Sequence, residues 1–169
     1  EDLTNFNIRV AETYFTTIRD VIRALAPNHL YLCCRFAWAN PQVVAVSARI
    51  CDVVSFNIYN ESPKGKAELT KHAAAKPWII GEFHFGALDR GMFHTGLVAV
   101  KDQAERAATY TRYVTDCLES PNFVGCHWFQ YIDSPVTGRT LDGSHDQICF
   151  LDNSDTPYPE IIAASRKLG

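Results

Sequence analysis

The feature that most constrains the fold of this chain is a fourfold alternation of apolar, strand-like runs with segments of helical periodicity. Four short apolar runs, of which the second is rich in Val, Phe and Ile, have the character of buried β-strands: 29–36, 51–59, 78–85 and 123–131. Other segments carry apolar residues at three- and four-residue steps or the end signals of helices: 6–25, 41–50, 67–75, 102–118 and 159–168. Strands that alternate with helices form parallel sheets with right-handed crossovers. The sequence therefore predicts an α/β fold with four parallel strands, adjacent in chain order.

Two architectures fit this order of elements, a doubly wound open sheet and part of a closed eight-stranded barrel. The Gly-x-Gly-x-x-Gly fingerprint of a dinucleotide-binding fold follows none of the strands. The loops 86–100 and 132–158 are long, and the second is predicted to carry a short hairpin at 147–151. No low-complexity linker divides the chain, so residues 1–169 are predicted to form one domain.

Composition and residue spacing argue against several classes of protein before any site is considered. The net charge of −3 argues against a protein that binds the phosphates of nucleic acid, and no apolar run approaches the roughly 18 residues of a membrane span. The six cysteines form no Cys-x-x-Cys pair and are predicted to be reduced structural thiols rather than disulfides. The six histidines lack metal-ligand spacing, so neither a metal nor another cofactor is predicted.

Polar and aromatic residues gather near the carboxyl ends of the predicted strands: Arg35, Asn57, Tyr59, Glu82, His84, Trp128 and Gln130. Parallel strands end at one edge of their sheet, so these side chains are expected to converge there. Strict alternation places Glu82 and His84 on one face of their strand and Gly81, Phe83 and Phe85 on the other. Trp128 is assigned to the face of Glu82. An indole beside a carboxylate and hydroxyl or amide groups suits the binding of a sugar ring.

Glu82 supports a second interpretation, in which it serves the fold alone. A carboxylate at the end of a buried strand needs a partner to stay ionised, and Arg35 could supply one as a structural ion pair. Three nearby acidic residues, Asp89, Asp133 and Asp142, are interpreted as loop caps or as acceptors for sugar hydroxyls, because Asp favours turns. The convergence of several polar residues at one strand edge favours the functional interpretation.

Long motifs make a family resemblance specific. The segment 76–91, which contains Trp78-Ile79-Ile80-Gly81-Glu82-Phe83-His84-Phe85-Gly86, resembles the seventh-strand segment of the family 50 glycoside hydrolases, the β-agarases. The segment 123–131 resembles their eighth strand, 27–37 their fifth and 51–59 their sixth. The resemblance extends over nearly the whole chain.

This resemblance implies the carboxyl-terminal half of a (β/α)8 TIM barrel of a retaining clan A glycosidase that acts on an agarose-like galactan. It implies that Glu82 is the nucleophile and that Tyr59 orients it. Trp128 would form the floor of the sugar subsite, and Arg35, Asn57, His84 and Gln130 would also contact substrate. The sequence leaves the compartment open, a secreted or periplasmic parent protein being one alternative.

Two departures from the family pattern qualify this expectation. The general acid/base of the family is a Glu after Asn at the end of the fourth strand, and the chain starts after that point. The chain also has Asp142-Gly143-Ser144-His145-Asp146 where relatives carry an Asp-Gly-Glu-Asn type of loop. The chain is therefore expected to be a fragment that is inactive alone, completed by the missing amino-terminal half or by a second copy.

Two other function classes stay open from the sequence. A half barrel that keeps Arg35, His84 and Trp128 could bind a polysaccharide without cleaving it. A doubly wound domain that binds a small molecule is the alternative if the sheet is open rather than part of a barrel.

Overall fold

The computed structural model describes residues 2–38, 40–73 and 76–168, and its elements follow the predicted order. Five α-helices are present in this part of the chain: α1 Asp2–Leu25, α2 Pro41–Ile50, α3 Ala67–Lys71, α4 Gln103–Leu118 and α5 Pro159–Arg166. A 3-10 turn over Pro63–Lys66 leads into α3. The four strands are β1 Arg35–Phe36, β2 Val54–Asn57, β3 Trp78–Phe83 and β4 Phe123–Trp128. The end of the predicted helix 67–75, at residues 74 and 75, lies outside the described residues.

The four strands form one parallel sheet in the order β1-β2-β3-β4. Between β1 and β2, Arg35 lies opposite Ser55 and Phe36 lies opposite Phe56. The prediction of an α/β fold with four parallel strands in chain order is therefore confirmed. Strands β2, β3 and β4 end earlier than predicted, so Tyr59, His84 and Gln130 follow strand ends rather than lying within strands.

The first predicted strand, 29–36, is wrong over most of its length, because only Arg35 and Phe36 are paired as a strand. Cys33 has φ of 65°, a left-handed conformation that interrupts an extended run. The backbone of Tyr31 pairs instead with the loop before β2, since its carbonyl accepts from the Asp52 amide at 3.0 Å. Tyr31 and Phe36 are both buried, although their spacing of five residues would place them on opposite faces of a regular strand.

Local signals in the sequence account for the starts of the helices. The Asn40 side chain accepts a hydrogen bond from the Val43 amide at 2.8 Å, and Pro41 then occupies the first turn of α2. The Asp102 side chain caps α4 by accepting from the Glu105 amide at 2.9 Å. No described helix is both long enough and apolar enough to cross a membrane.

The chain divides into two compact units, and the first comprises Glu1–Ile58, Lys66–Gly81 and Ser120–Cys126. Within this unit α1 packs against α2, and Arg49 forms an ion pair with Glu12 at 2.6 Å. A series of aromatic rings, with successive ring centroids 5.1–6.3 Å apart, joins α1 to the strands: Phe15, Phe36, Phe56, Trp78 and Phe123. Cys51 is buried here, as expected of a structural thiol.

The second unit comprises Tyr59–Gly65, Glu82–Glu119 and His127–Gly169, and hydrogen bonds of two buried charged side chains organise its long loop. Arg106 of α4 is fully buried and donates to the carbonyls of Phe85 and Cys149. Asp133 accepts from the Cys149 amide at 2.8 Å and from the Tyr158 hydroxyl at 2.7 Å. These bonds hold the loop 132–158 in place.

The predicted hairpin at 147–151 is wrong. Leu151 forms a parallel bridge with Ile132 and an antiparallel bridge with Pro157. The loop is therefore tied to both of its own ends, because Asp133 draws the 148–149 backbone toward the start of the loop.

We expect Gly81→Ala to lower the free energy of unfolding by about 1–3 kcal/mol, the usual cost of overpacking a filled interior. A Cβ at Gly81 would lie 2.5 Å from Arg35 Cδ and 2.7 Å from Ser55 Oγ, and Ser55 is buried. Gly125→Ala on β4 is the matched control, since its Cβ would meet Ile79 Cδ1 at an ordinary 3.7 Å. Urea unfolding of both variants measures the difference, and equal stabilities would contradict this account of Gly81.

Candidate functional site

Glu82 and Tyr59 form the centre of the candidate site. Glu82 is the fifth residue of β3, and Tyr59 follows β2 by two residues. The Tyr59 hydroxyl donates to Glu82 Oε2 at 2.7 Å, and both side chains are half-buried. A hydrogen bond to a carboxylate is stronger than one between neutral groups. The expected hydrogen bond to Glu82 is thus present, and it fixes the orientation of the carboxylate.

Burial along β3 departs from the strict alternation that the sequence analysis assumed. Trp78 and Ile80 are buried, and the next buried side chain is Phe83, so the pattern changes phase near Gly81. The Cβ position of Gly81 points at Arg35 and Ser55 of the first unit, and the assignment of Gly81 to the face of Phe83 stays a prediction.

After Gly81, alternate side chains at the end of β3 and just beyond it contact different groups. Phe83 stacks on Tyr113 of α4 with ring centroids 4.4 Å apart, and Phe85 contacts the same ring. Glu82 and His84 instead contact Tyr59. The prediction that Glu82 and His84 lie together, away from Phe83 and Phe85, agrees with these contacts.

His84 is buried, with 3% of its surface exposed. Its Nε2 accepts from the Leu97 amide at 2.8 Å, so the ring proton lies on Nδ1. The ring meets Tyr59 edge-on at 4.8 Å and Phe129 at 6.0 Å. Burial lowers the pKa of His84 to about 4, the Phe129 backbone partly opposes that shift, and the charge of Arg106 adds to it. His84 is therefore neutral at neutral pH.

The structure does not bring Trp128 together with Glu82. Its ring packs in an aromatic cluster within 6 Å of four others: Phe83, Phe85, Tyr110 and Phe150. Its indole N–H donates to the Ile148 carbonyl at 2.8 Å. Trp128 thus lies on the Phe83 side, and the assignment of Trp128 to the face of Glu82 needs correction.

Phe129 is the aromatic residue that sequence reasoning missed. It lies beside His84, its N–H donates to the Phe83 carbonyl at 3.0 Å, and the Arg139 guanidinium lies 5.6 Å from its ring centroid. The Phe129–Gln130 peptide bond is cis. β4 ends at Trp128, so an alternation continued past that point could not place Phe129.

The remaining predicted site residues have these positions. In the first unit, Arg35 lies on β1 beside Gly81, and Asn57 ends β2 with its Oδ1 buried and without a hydrogen-bond partner among the described residues. Gln130, in the second unit, is half-buried and follows Phe129. The structure brings Tyr59, Glu82 and His84 together, and the convergence of Arg35 with them stays a prediction.

The acidic residues interpreted as loop caps have that role in the structure. Asp89 accepts from the Gln103 amide at 3.1 Å and from its side chain at 3.0 Å. Asp142 accepts from the Ser144 amide and forms an ion pair with Arg139, which lowers the pKa of Asp142. Asp133 is engaged by two backbone amides and a tyrosine hydroxyl. None of these three carboxylates contacts Glu82 in the described part of the chain.

The buried His84 predicts a specific dependence of stability on pH. The folded-state pKa of about 4 lies below the ordinary 6.5, so between these values the unfolded chain binds the proton that the folded chain excludes. The contribution is present above pH 6.5 and is lost as the pH falls toward 4, by about 3 kcal/mol at 1.36 kcal/mol per pH unit. Urea unfolding at pH 7.0, 5.5 and 4.5 gives the free energy of unfolding at each pH. This free energy is expected to fall less with decreasing pH in His84→Gln than in the unaltered chain. Equal pH dependence in the two proteins would contradict the role given to His84.

The Glu82 carboxylate, held by the Tyr59 hydroxyl, lies at the carboxyl end of a parallel strand. Functional sites of α/β proteins, in barrels and in open sheets, lie at that edge. The chain is also similar in sequence and structure to β-agarases, as the resemblance indicated. It is 45% identical over 157 residues to Beta-agarase B, and 45% identical over 161 residues to Beta-agarase A, both from Vibrio sp. (strain JT0107).

Each of those two matches covers 91% of this chain but 16% of the relative, so the chain spans about a sixth of their length. Among solved structures, the agarase AgWH50C superposes with a TM-score of 0.93 at 45% identity, over 99% of this chain and 26% of that one. An exo-beta-agarase gives a TM-score of 0.92 at 42% identity, over 99% of this chain and 23% of that one. No protein-family model matches the chain.

Proposed function

We propose that this chain is the carboxyl-terminal half of the (β/α)8 barrel of a retaining glycoside hydrolase that cleaves an agarose-type galactan, with Glu82 as the nucleophile. The observation that carries the proposal is the 2.7 Å hydrogen bond from Tyr59 to Glu82 at the strand ends, in a chain so similar to β-agarases. In this proposal the edge strands β1 and β4 pair with strands from the rest of the barrel.

The mechanism requires two carboxyl groups about 5–5.5 Å apart, and Glu82 supplies one of them. The Glu82 carboxylate attacks the anomeric carbon as the bond from that carbon to the glycosidic oxygen breaks. The departing oxygen takes a proton from the second carboxyl group, which belongs to the other half of the barrel. That group then removes a proton from water, the water oxygen attacks the anomeric carbon, and Glu82 leaves as a carboxylate. Two inversions give net retention.

Tyr59 has a defined part in this reaction. Its hydroxyl holds Glu82 Oε2 and so limits rotation of the carboxylate, which keeps the attacking group aligned. In the glycosyl-enzyme, the same hydroxyl stays beside the ester oxygen atoms and can donate again when the carboxylate leaves.

The contacts to sugar are assigned by position. We assign the aromatic wall of the subsite to Phe129, which lies beside His84. Trp128, which packs against Phe83, is proposed to stabilise β4 instead. Arg35, Asn57 and Gln130 are proposed to bind sugar hydroxyls, because they occupy strand ends or the residues just after them. His84 has too little exposed surface for a main substrate contact.

Azide rescue tests whether Glu82 is the nucleophile. The experiment uses the complete protein that contains this chain, in the Glu82→Ala form, with an agarose oligosaccharide and sodium azide. Azide is expected to attack the anomeric carbon from the side that the carboxylate vacates, while the glycosidic oxygen leaves with a proton. One inversion at a β-linkage gives an α-glycosyl azide, which NMR identifies. The unaltered protein is expected to release β-configured products first.

Other outcomes would contradict the proposal in different ways. A β-glycosyl azide would show that Glu82 is not on the attacking side, and release of α-configured product by the unaltered protein would exclude retention. Binding of the oligosaccharide without turnover, unchanged between the Ala variant and the unaltered protein, would show a non-catalytic polysaccharide binder.

A further inference from the structure

We propose that His84 is a positioning residue: it holds Tyr59 in the place from which the Tyr59 hydroxyl orients Glu82, and the loop 86–100 holds His84 in turn. The inference rests on the proposed function, because it gives the Tyr59–Glu82 pair its mechanical support. It departs from the sequence interpretation, in which His84 was a substrate contact.

The contacts of His84 suit support rather than substrate binding. Its ring packs edge-on against Tyr59 at 4.8 Å, and Tyr59 donates to Glu82 at 2.7 Å. With 3% of its surface exposed and Nε2 occupied by the Leu97 amide, the imidazole has little surface for a sugar. A well-packed ring beside a tyrosine restricts the side-chain rotamers that the tyrosine can adopt. His84 therefore limits where the Tyr59 hydroxyl can lie.

Gly96 allows the loop to approach His84 closely. A Cβ at this position would lie 2.4 Å from His84 Nε2, and φ of 65° is a conformation that glycine adopts without strain. The next residue, Leu97, donates its amide to that same nitrogen at 2.8 Å. Any side chain at position 96 would displace the ring. The position of the His84 ring therefore depends on glycine at position 96.

The loop itself is held at several places, so it can act as a rigid support. The Gly86 amide donates to the Val98 carbonyl at 2.9 Å, and the Val100 amide donates back to Gly86 at 2.9 Å. At the other side of the loop, the Gln147 amide donates to the His94 carbonyl at 2.8 Å. A series of direct contacts thus runs from the loop through His84 and Tyr59 to Glu82.

The test is steady-state kinetics of variants of the complete protein that contains this chain, on agarose oligosaccharides. His84→Leu removes the acceptor for the Leu97 amide, and we expect kcat to fall about 10- to 100-fold, the scale of a misplacement near 1 Å. KM is expected to change less than about threefold, since substrate does not contact the ring. His84→Gln offers a side-chain oxygen to the same amide and is expected to recover most of the loss. Gly96→Ala is expected to resemble His84→Leu.

A double-mutant cycle with Tyr59→Phe separates positioning from general damage. If His84 acts through the Tyr59 hydroxyl, His84→Leu is expected to cost less than about threefold once that hydroxyl is gone, because effects of coupled residues do not add. His72→Leu is the control, since His72 is exposed after α3, outside the proposed machinery.

Several results would overturn the proposal. These are a rise in KM without a fall in kcat, full additivity with Tyr59→Phe, or an effect of His84→Leu no larger than that of His72→Leu. Failure of His84→Leu, His84→Gln and Gly96→Ala all to fold would show that His84 serves the fold instead. Failure of the proposed function is distinguishable, because Glu82→Gln would then keep its turnover whatever happens at His84.

Discussion

Replacement of Glu82 by Gln is expected to lower kcat for agarose hydrolysis by about 10⁴-fold in the complete protein that contains this chain, the scale seen when one member of a catalytic set is removed. The amide has the shape of the carboxylate and its oxygen can still accept from the Tyr59 hydroxyl at 2.7 Å, so the site keeps its geometry. It lacks the negative charge and the nucleophilic oxygen, so the glycosyl-enzyme does not form. KM is expected to change little, because sugar binding involves other groups.

Initial rates of reducing-end release, measured over a range of agarose concentrations, give both constants. Glu68→Gln is the matched control, because that glutamate lies on α3 with 80% of its side chain exposed and pairs with Lys71. The control is expected to behave as the unaltered protein. A Glu82→Gln variant with more than about a tenth of the normal kcat would exclude Glu82 as the nucleophile, because a required covalent step tolerates no such substitution.

The order of elements was predictable because its signals are local. Pro41 after Asn40, and Asp102 before α4, mark helix starts that the sequence shows directly. The strand β1 was overestimated because the left-handed conformation at Cys33 has no signature in the sequence, where a non-glycine residue is expected to extend. Such a backbone departure depends on the contacts around it and not on the residue itself.

The candidate site was predictable to the extent that it follows from strand ends and motifs. Glu82 and Tyr59 stand in segments that resemble β-agarases, and the structure joins them by a hydrogen bond. The side on which Trp128 lies was not predictable from alternation, because burial changes phase along β3 and β4 ends before Phe129. A period of two predicts which face of the sheet a side chain occupies only while the strand alternates regularly.

Tertiary partners were beyond the reach of the sequence. Arg106 lies within a helix beside other charged residues and would be expected to face water, yet it is fully buried against the Phe85 and Cys149 carbonyls. Burial lowers the pKa of Arg106 to about 10 while Asp133 acts in the opposite direction. The close approach of Gly96 to His84 was also not predictable from the sequence, since a loop whose path only the structure shows separates the two residues.

The 169-residue chain by itself is expected to show no measurable hydrolysis of agarose oligosaccharides. In the proposed mechanism Glu82 supplies one of the two carboxyl functions of a retaining glycosidase, and a positioned general acid contributes typically 10²–10⁴-fold. The carboxylates of Asp133 and Asp142 cannot readily replace it. Two amides and a tyrosine hydroxyl hold the first, and Arg139 with the Ser144 amide holds the second. Reducing-end assays of the purified chain at neutral pH, with its Glu82→Gln variant as the blank, measure the residual rate.

Addition of the separately expressed amino-terminal half of the barrel is expected to restore part of the activity, because strands of that half can pair with the exposed edges β1 and β4. The restored rate should saturate with the concentration of the added half and vanish when that half lacks its general acid. Hydrolysis by the chain alone that disappears in Glu82→Gln would contradict the prediction. It would mean that a carboxylate of this chain, or of a second copy, lies close enough to Glu82 to act as the acid. A rate that rises with the square of the chain concentration would then identify the second copy as its source, since two molecules would have to combine to make one site.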